Sequence, residues 1–327
     1  MEAGSGRRSL AVALLALTAL VACGADDDAG PSPADGGSSS TSSSTTTTTA
    51  PDEGFPVTVT GANGEVAIAA RPERIVVLSP SLTESVFAVG AGDQVVAVDA
   101  DSDHPAGAPV TDLSSFRPNV EAIGRLEPDL VLVARDRDDL VATLATVGIP
   151  ALVLPSARDL DQVYAQIEVI GAATGHRSAA EDLAASMREE VDAQLARVPA
   201  SVAGDTYFYE VSADLHTATS DTFVGSILDH VGLVSIAEGV DPAAGAFPQL
   251  NAERVLEADP DHIFLAHADG SVPAPAEVAA RPGWATLGAV AGGRITALDT
   301  DVASRWGPRV VELVTALADA LAGDEGR

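Results

Sequence analysis

The chain of 327 residues has one cysteine, few aromatics (4%) and few cations: Lys and Arg number 18 against 48 Asp and Glu, a formal net charge of -30. Each scarcity excludes something. With Cys23 alone, no disulfide can close within the chain. A surface this acidic repels phosphate backbones, so no nucleic-acid partner is expected and solubility is the simplest role for the charge. The sequence has no Gly-x-Ser-x-Gly elbow, no phosphate-binding glycine loop and no dinucleotide fingerprint, so it offers no catalytic motif and is read as a non-enzyme. Among the six histidines none form a pair at i, i+4, and there is no His-rich loop, so no protein-held metal site is expected. Long hydrophobic runs are missing too. The apolar stretch Leu10 to Ala22 falls short of the about 20 residues that cross a bilayer as a helix.

That stretch has the form of an export signal: Arg7 and Arg8 lead it, and Leu20-Val21-Ala22-Cys23 closes it. The ending resembles a bacterial lipobox, which implies cleavage after residue 22 and a lipid on the Cys23 sulfur. Residues 23–54 are rich in Ser, Thr, Asp and Gly, with almost nothing to bury, and read as a disordered tether.

From Phe55 onward, short β-branched runs alternate with helical segments, the pattern of parallel α/β sheets. Strands are expected at RIVVL (74–78), QVVAV (94–98), DLVLV (core 130–133), PALVL (150–154), TYFYE (206–210), HIFLA (262–266) and RITAL (294–298). Helices are expected over Ser81–Val89, Val120–Leu126 and Leu140–Val147. One segment, Ser178 to Val198, contains neither Gly nor Pro, opens with a capping-box pattern Ser178-x-x-Glu181, and places Leu183, Met187, Val191 and Leu195 on one face. Its length of about 30 Å suits a connector between two lobes. The expected order is therefore an N-terminal lobe over 55–176, a connecting helix over 177–199 and a C-terminal lobe over 200–327.

The lobes repeat one another. EAIGRLEPDLVLVA, from Glu121, and ERVLEADPDHIFLA, from Glu253, share the glutamate, the Pro-Asp pair and the closing alanine. Upstream, SPSLTESVFAVGAG (79–92) and TSDTFVGSILDHVG (219–232) both run from a Ser/Thr-rich start to a glycine stop.

Taken in order, RPERIVVLSPSLTE, DADSDHP, NVEAIGRLEPDLVLV, FPQLNAERVLEADPD and SRWGPR resemble the substrate-binding lipoproteins of ABC importers for ferric siderophores, cobalamin and haem, over residues 65–322. The resemblance implies an α/β fold of two Rossmann-like lobes with parallel-rich sheets joined by one long α-helix, the helical-backbone periplasmic binding protein fold. It implies a monomer, lipid-anchored through Cys23 to the outer face of the cell membrane, with no intrinsic cofactor. The ligand would be a metal chelate, a ferric siderophore or cobalamin, with haem or a free metal ion as the alternative. The partner would be an ABC permease dimer with its cytoplasmic ATPase, and Glu121 and Glu253 would each meet an arginine-rich pocket on one permease half. A helix dipole complemented locally by each carboxylate is the simpler role for the same pair.

Ligands in open α/β sheets lie beyond the carboxyl ends of strands. That rule selects Ser81, Asp101, Phe116, Arg117, Tyr209, Phe247, Arg305 and Trp306 as ligand-binding candidates, with Ser79, His104, Arg135 and Glu210 beside them. Ser81 with Glu84 also reads as a capping box, and Phe116, Tyr209, Phe247 and Trp306 fit a core equally well. Cobalamin binders of the family tend to wall the cleft with tryptophan and tyrosine, where this chain offers Asp101 and Phe247. Arg117, Arg135 and Arg305 suit the oxygens of a catecholate or carboxylate siderophore or haem propionates. His104, His216 and Tyr209 are the candidate axial ligands for haem iron. A less favoured reading is an exported hydrolase using Glu84, Asp101 and Glu210. One stiff connecting helix predicts little hinge closure.

Overall fold

The computed structural model describes residues 54–240, 245–267 and 270–323, all within one compact unit, Thr49–Arg327. The export signal, Cys23 and nearly all of the tether lie outside the described residues. Among the described residues no helix is long and apolar enough to cross a membrane.

The chain opens with an antiparallel hairpin, β1 (Val57–Gly61) and β2 (Gly64–Ile68). The N-terminal lobe follows: β3 (Ile75–Leu78), α1 (Pro80–Ala88), β4 (Val95–Val98), α2 (Val120–Gly124), β5 (Leu130–Val133), α3 (Leu140–Thr146) and β6 (Ala151–Val153). Two helices come next, α4 (Leu160–Thr174) and α5 (Arg177–Leu195). The C-terminal lobe contains β7 (Thr206–Glu210), α6 (Phe223–His230), β8 (Val234–Ser235), α7 (Ala252–Ala258), β9 (His262–Leu265), α8 (Pro275–Ala279), α9 (Gly288–Ala291) and β10 (Ile295–Ala297). The chain closes with α10 (Thr300–Ser304) and α11 (Val310–Ala322).

Each lobe holds a four-stranded, all-parallel sheet, ordered β4-β3-β5-β6 in the first and β8-β7-β9-β10 in the second. In both, the first strand of the lobe lies inside, the second at one edge, and the third and fourth continue on the other side. The duplication seen in the sequence is therefore a duplication of topology. It extends to the short helices: Asn119 caps α2 by accepting from the Ala122 amide, and Asn251 caps α7 by accepting from the Arg254 amide. Each helix is anchored by one fully buried side chain, Ile123 in α2 and Val255 in α7, a contribution of about 1.5–3 kcal/mol apiece.

Residues of β3 and β5 are buried throughout, as expected of strands covered on both faces. Alternation then sends Ile75, Val77, Leu130 and Leu132 into a large core shared with α1, α4, α5 and α11, and Val76, Leu78, Val131 and Val133 into a second core under α2 and α3. In the C-terminal lobe, Tyr207 and Tyr209 join the large core while Phe208 turns to a third, where it meets Trp284 edge-on at 6.0 Å.

The connecting helix begins at Arg177, but its capping box does not form. His176 stands at the N-cap and no side chain caps the first turn. The buried face is Ala180, Ala184, Met187 and Val191, with Leu183 and Leu195 half-buried beside it. Small residues lead this face because α4 returns against α5 at close range: a Cβ on Gly171 would overlap that of Ala180. The capping box expected at Ser81-x-x-Glu84 is also absent. Ser79 is the N-cap of α1 with Pro80 at the first position, and Ser81 and Glu84 point elsewhere.

Candidate functional site

Strands β3, β4, β5 and β6 all end at one cavity of about 870 Å³. Ser79, Pro80 and Ser81 reach it from the β3–α1 junction, Asp101 and Asp103 from the loop after β4, Arg135 and Arg137 from the loop after β5, and Ser156 from beyond β6. Ser115 and Phe116, on the loop that leads to α2, complete this side. The far wall is a single segment near the C-terminus: Thr300, Asp301, Ser304, Arg305 and Trp306. The cavity thus lies at the carboxyl ends of a parallel sheet, where side chains and loop amides converge.

Its charge is divided. The chain has no lysine, so every side-chain cation except histidine is a guanidinium, a planar fork suited to oxyanions. Arg137 stacks over the Phe116 ring at 5.5 Å, and Phe116 is 65% exposed. The same lining carries the carboxylates Asp101 and Asp103, and Asp301 stands on the far wall.

Arg305 differs from the other two cations. Its Nη1 donates to Glu84 Oε1 at 2.9 Å, and its Nη2 donates to Asp103 Oδ1 at 2.8 Å and to Asp301 Oδ1 at 2.9 Å. Arg309 approaches Glu84 as well, at 3.7 Å. Burial raises the Glu84 pKa above the ordinary carboxylate value despite Arg305 beside it, while the hydrogen bond from Arg305 holds Asp103 below its own. Arg305 therefore lines the cavity with its charge already matched, which corrects its expected role as a free contact for a ligand anion.

Of the other expected ligand residues, Ser81, Asp101, Phe116 and Trp306 line this cavity, as does Arg135. Arg117, adjacent to Phe116, does not. Tyr209 is a correction: β7 is an inner strand, and alternation points this ring into the apolar core, 2% exposed, where burial pushes the phenol pKa up. Phe247 is 51% exposed on the loop before α7 and does not line this cavity. Glu210 is buried on the other side of the C-terminal sheet's end, accepting from Arg281 at 2.5 and 2.8 Å and paired with His267 at 2.8 Å. His104 and His216 do not line the cavity either, so the expected haem-iron ligands are not brought together. His216 instead pairs with Asp214 at 2.9 Å. No group of three or more His, Cys, Asp or Glu able to hold a metal ion occurs among the described residues.

Sequence reasoning placed the run Asp101–His104 at the cleft, and Asp103 of that run lines the cavity; it missed Arg137, Asp301 and Ser156. Arg137 lies two positions from the expected Arg135. Asp301 and Ser156 carry no local signal, because what makes them cavity residues is the approach of the segment 300–306 to the opposite lobe.

Residues 75–302 match the family model described as periplasmic binding protein. The chain belongs to the periplasmic binding protein family. It is similar to an uncharacterized ABC transporter substrate-binding lipoprotein, YvrC, of Bacillus subtilis, 33% identical over 83% of this chain and 87% of that one. It is also similar to a cobalamin-binding protein of Halobacterium salinarum, 31% identical over 81% and 74% of the two chains. Among solved structures, the periplasmic vitamin B12 binding protein BtuF of Vibrio cholerae superposes with a TM-score of 0.65 at 25% identity, covering 78% of this chain and 99% of that one. The relatives of this periplasmic binding protein are binding components, not enzymes, and the hydrolase reading falls away: Glu84, Asp101 and Glu210 do not converge.

Proposed function

We propose that this chain is the extracytoplasmic, lipid-anchored substrate-binding component of an ABC importer, and that it captures a metal chelate of the cobalamin or ferric-siderophore class in the cavity between its lobes. The observation that carries the reading is the cavity itself: about 870 Å³, at the carboxyl ends of four parallel strands, with Arg135, Arg137 and Phe116 on one side and the segment 300–306 on the other. That volume falls within the range of small-molecule sites. The cobalamin-binding and B12-binding relatives favour a corrinoid, while the guanidinium pair favours an anionic chelate.

Delivery would use Glu121 and Glu253. Both are exposed, each in the first turn of an equivalent helix behind an Asn cap, one per lobe. Among the described residues Glu121 has one weak ion pair, with Arg125 at 3.9 Å. Two like charges on two like lobes suit a partner built of two like halves. Cys23 would supply the membrane anchor.

The test of ligand class is thermal unfolding against cyanocobalamin, several ferric siderophores, haem and zinc. A ligand at 100 times its dissociation constant adds about 2.7 kcal/mol, a rise of several degrees for a protein of this size. A shift with one chelate supports the reading and names the ligand. A shift with zinc alone, or with none of them, refutes it.

A further inference from the structure

The segment that forms the far wall of the cavity is held against α1 by contacts in consecutive residues. Arg305 pairs with Glu84. The backbone N–H of Trp306 donates to Ser81 Oγ at 3.2 Å. Gly307 then lies so close that a Cβ there would stand 3.1 Å from the Ser81 carbonyl oxygen and 3.6 Å from Glu84 Oε2. Two stretches more than 200 positions apart, SLTE and RWGP, are thus the two halves of one joint between the lobes.

The joint is built at an energetic cost. Glu84 is 3% exposed and its Oε2 has no hydrogen-bond partner among the described residues, and Trp306 Nε1 is likewise buried without one among them. Buried charges and orphaned polar atoms oppose folding, and ion pairs of this kind do not by themselves favour stability over apolar packing. What they confer is a fixed geometry, because a guanidinium held by three carboxylates has one arrangement that satisfies them all. Glu84 does not line the cavity, yet Arg305 and Trp306, which it and Ser81 hold, do.

We propose that Glu84, assisted by Ser81, is a positioning residue for ligand capture: it seats the segment 300–307 on α1 and so sets the far wall of the cavity, acting through Arg305 and Trp306. The proposal rests on the reading of the cavity as the ligand site. It predicts that removing the Glu84 charge harms ligand affinity out of proportion to its effect on stability.

Two readouts on the full chain test this. The chain has two tryptophans, Trp284 and Trp306, so its amide-proton spectrum carries two indole N–H signals, assigned with Trp306→Phe. In Glu84→Gln and in the milder Ser81→Ala, without ligand, the Trp306 signal should shift while that of Trp284, buried in the C-terminal core, stays. For affinity the probe is cyanocobalamin, or whichever chelate gives a thermal shift. Glu84→Gln should weaken binding about tenfold or more, whereas Val255→Ala, a core truncation remote from the cavity, should lower Tm and keep the affinity. An unmoved Trp306 signal in both joint variants, or wild-type affinity in Glu84→Gln, overturns the proposal. If no chelate binds the wild-type chain, the functional reading fails, and the indole signals still decide whether the joint positions Trp306.

Discussion

Glu84 of α1 and Arg305 of the C-terminal segment, 221 positions apart, meet at 2.9 Å with 2% and 8% of their side chains exposed. The pair joins the lobes at the edge of the cavity, where the connecting helix α5 does not reach. Truncating Arg305 leaves the Glu84 carboxylate buried, with Arg309 at 3.7 Å as its remaining ion-pair partner among the described residues. Arg305→Leu is therefore expected to destabilise the chain by about 3–5 kcal/mol in urea unfolding. A loss under 1 kcal/mol would show that the charge relaxes into solvent.

The cavity's unmatched cations should discriminate between ligand classes. Arg135 and Arg137 face it without a carboxylate partner among the described residues. Replacing both with alanine should weaken an anionic ferric siderophore at least tenfold, and more at low salt than at high salt. Binding of cyanocobalamin, whose corrin side chains are amides, should change far less. Equal losses for both ligands would show that these side chains act through shape and not charge.

Asp99 makes stability depend on pH. It is fully buried at the end of β4 and accepts from Ser102, and burial raises its pKa above the ordinary 3.8. A carboxyl that keeps its proton more readily when folded costs stability once it must ionise. As pH rises from 3.8 through the raised folded value, wild type should lose stability relative to Asp99→Asn, by at most about 1.4 kcal/mol per pH unit, and the gap should close below that window. Chemical unfolding of both chains across pH 3 to 7 measures it. A gap of opposite sign would mean that the carboxylate form is the one favoured by the fold.

The contact between α4 and α5 leaves no room at Gly171. Gly171→Val should lower stability by about 1–3 kcal/mol, read as a lower Tm. An unchanged Tm would mean that α4 can slide along α5.

Much of this architecture was legible in the sequence because it is local. The β-branched runs at Ile75–Leu78, Leu130–Val133 and His262–Leu265 are strands, and the twin Pro-Asp motifs sit between equivalent helices and strands. The hairpin β1–β2 has a signal, the alternation around Asn63-Gly64, though it is not among the expected strands; β8 has only two residues and leaves none. The site was half legible. The strand-end rule found Ser81, Asp101, Phe116 and Trp306, but periodicity cannot tell which face of β7 Tyr209 takes. Nor can it show that Arg305 spends its charge on carboxylates from the other lobe. Ser81 and Glu84 read as a local cap because the residues they actually hold lie more than 200 positions away.

If Glu121 and Glu253 dock the permease as proposed, capture and delivery are separable at these two residues. Replacing both with alanine should abolish uptake in cells while leaving Tm and ligand affinity at their wild-type values, since both side chains are exposed. Uptake at the wild-type rate would remove them from the docking surface.

The central claim is that the cavity at the strand ends holds the chelate, and equilibrium binding to a chain with that cavity filled tests it most directly. Ala134 lines the cavity just beyond β5 and is not part of the buried core. The full chain should bind the chelate identified by thermal shift at one site, and Ala134→Trp should lose that binding at least tenfold with Tm preserved. Undiminished binding by Ala134→Trp would place the ligand elsewhere and contradict the account.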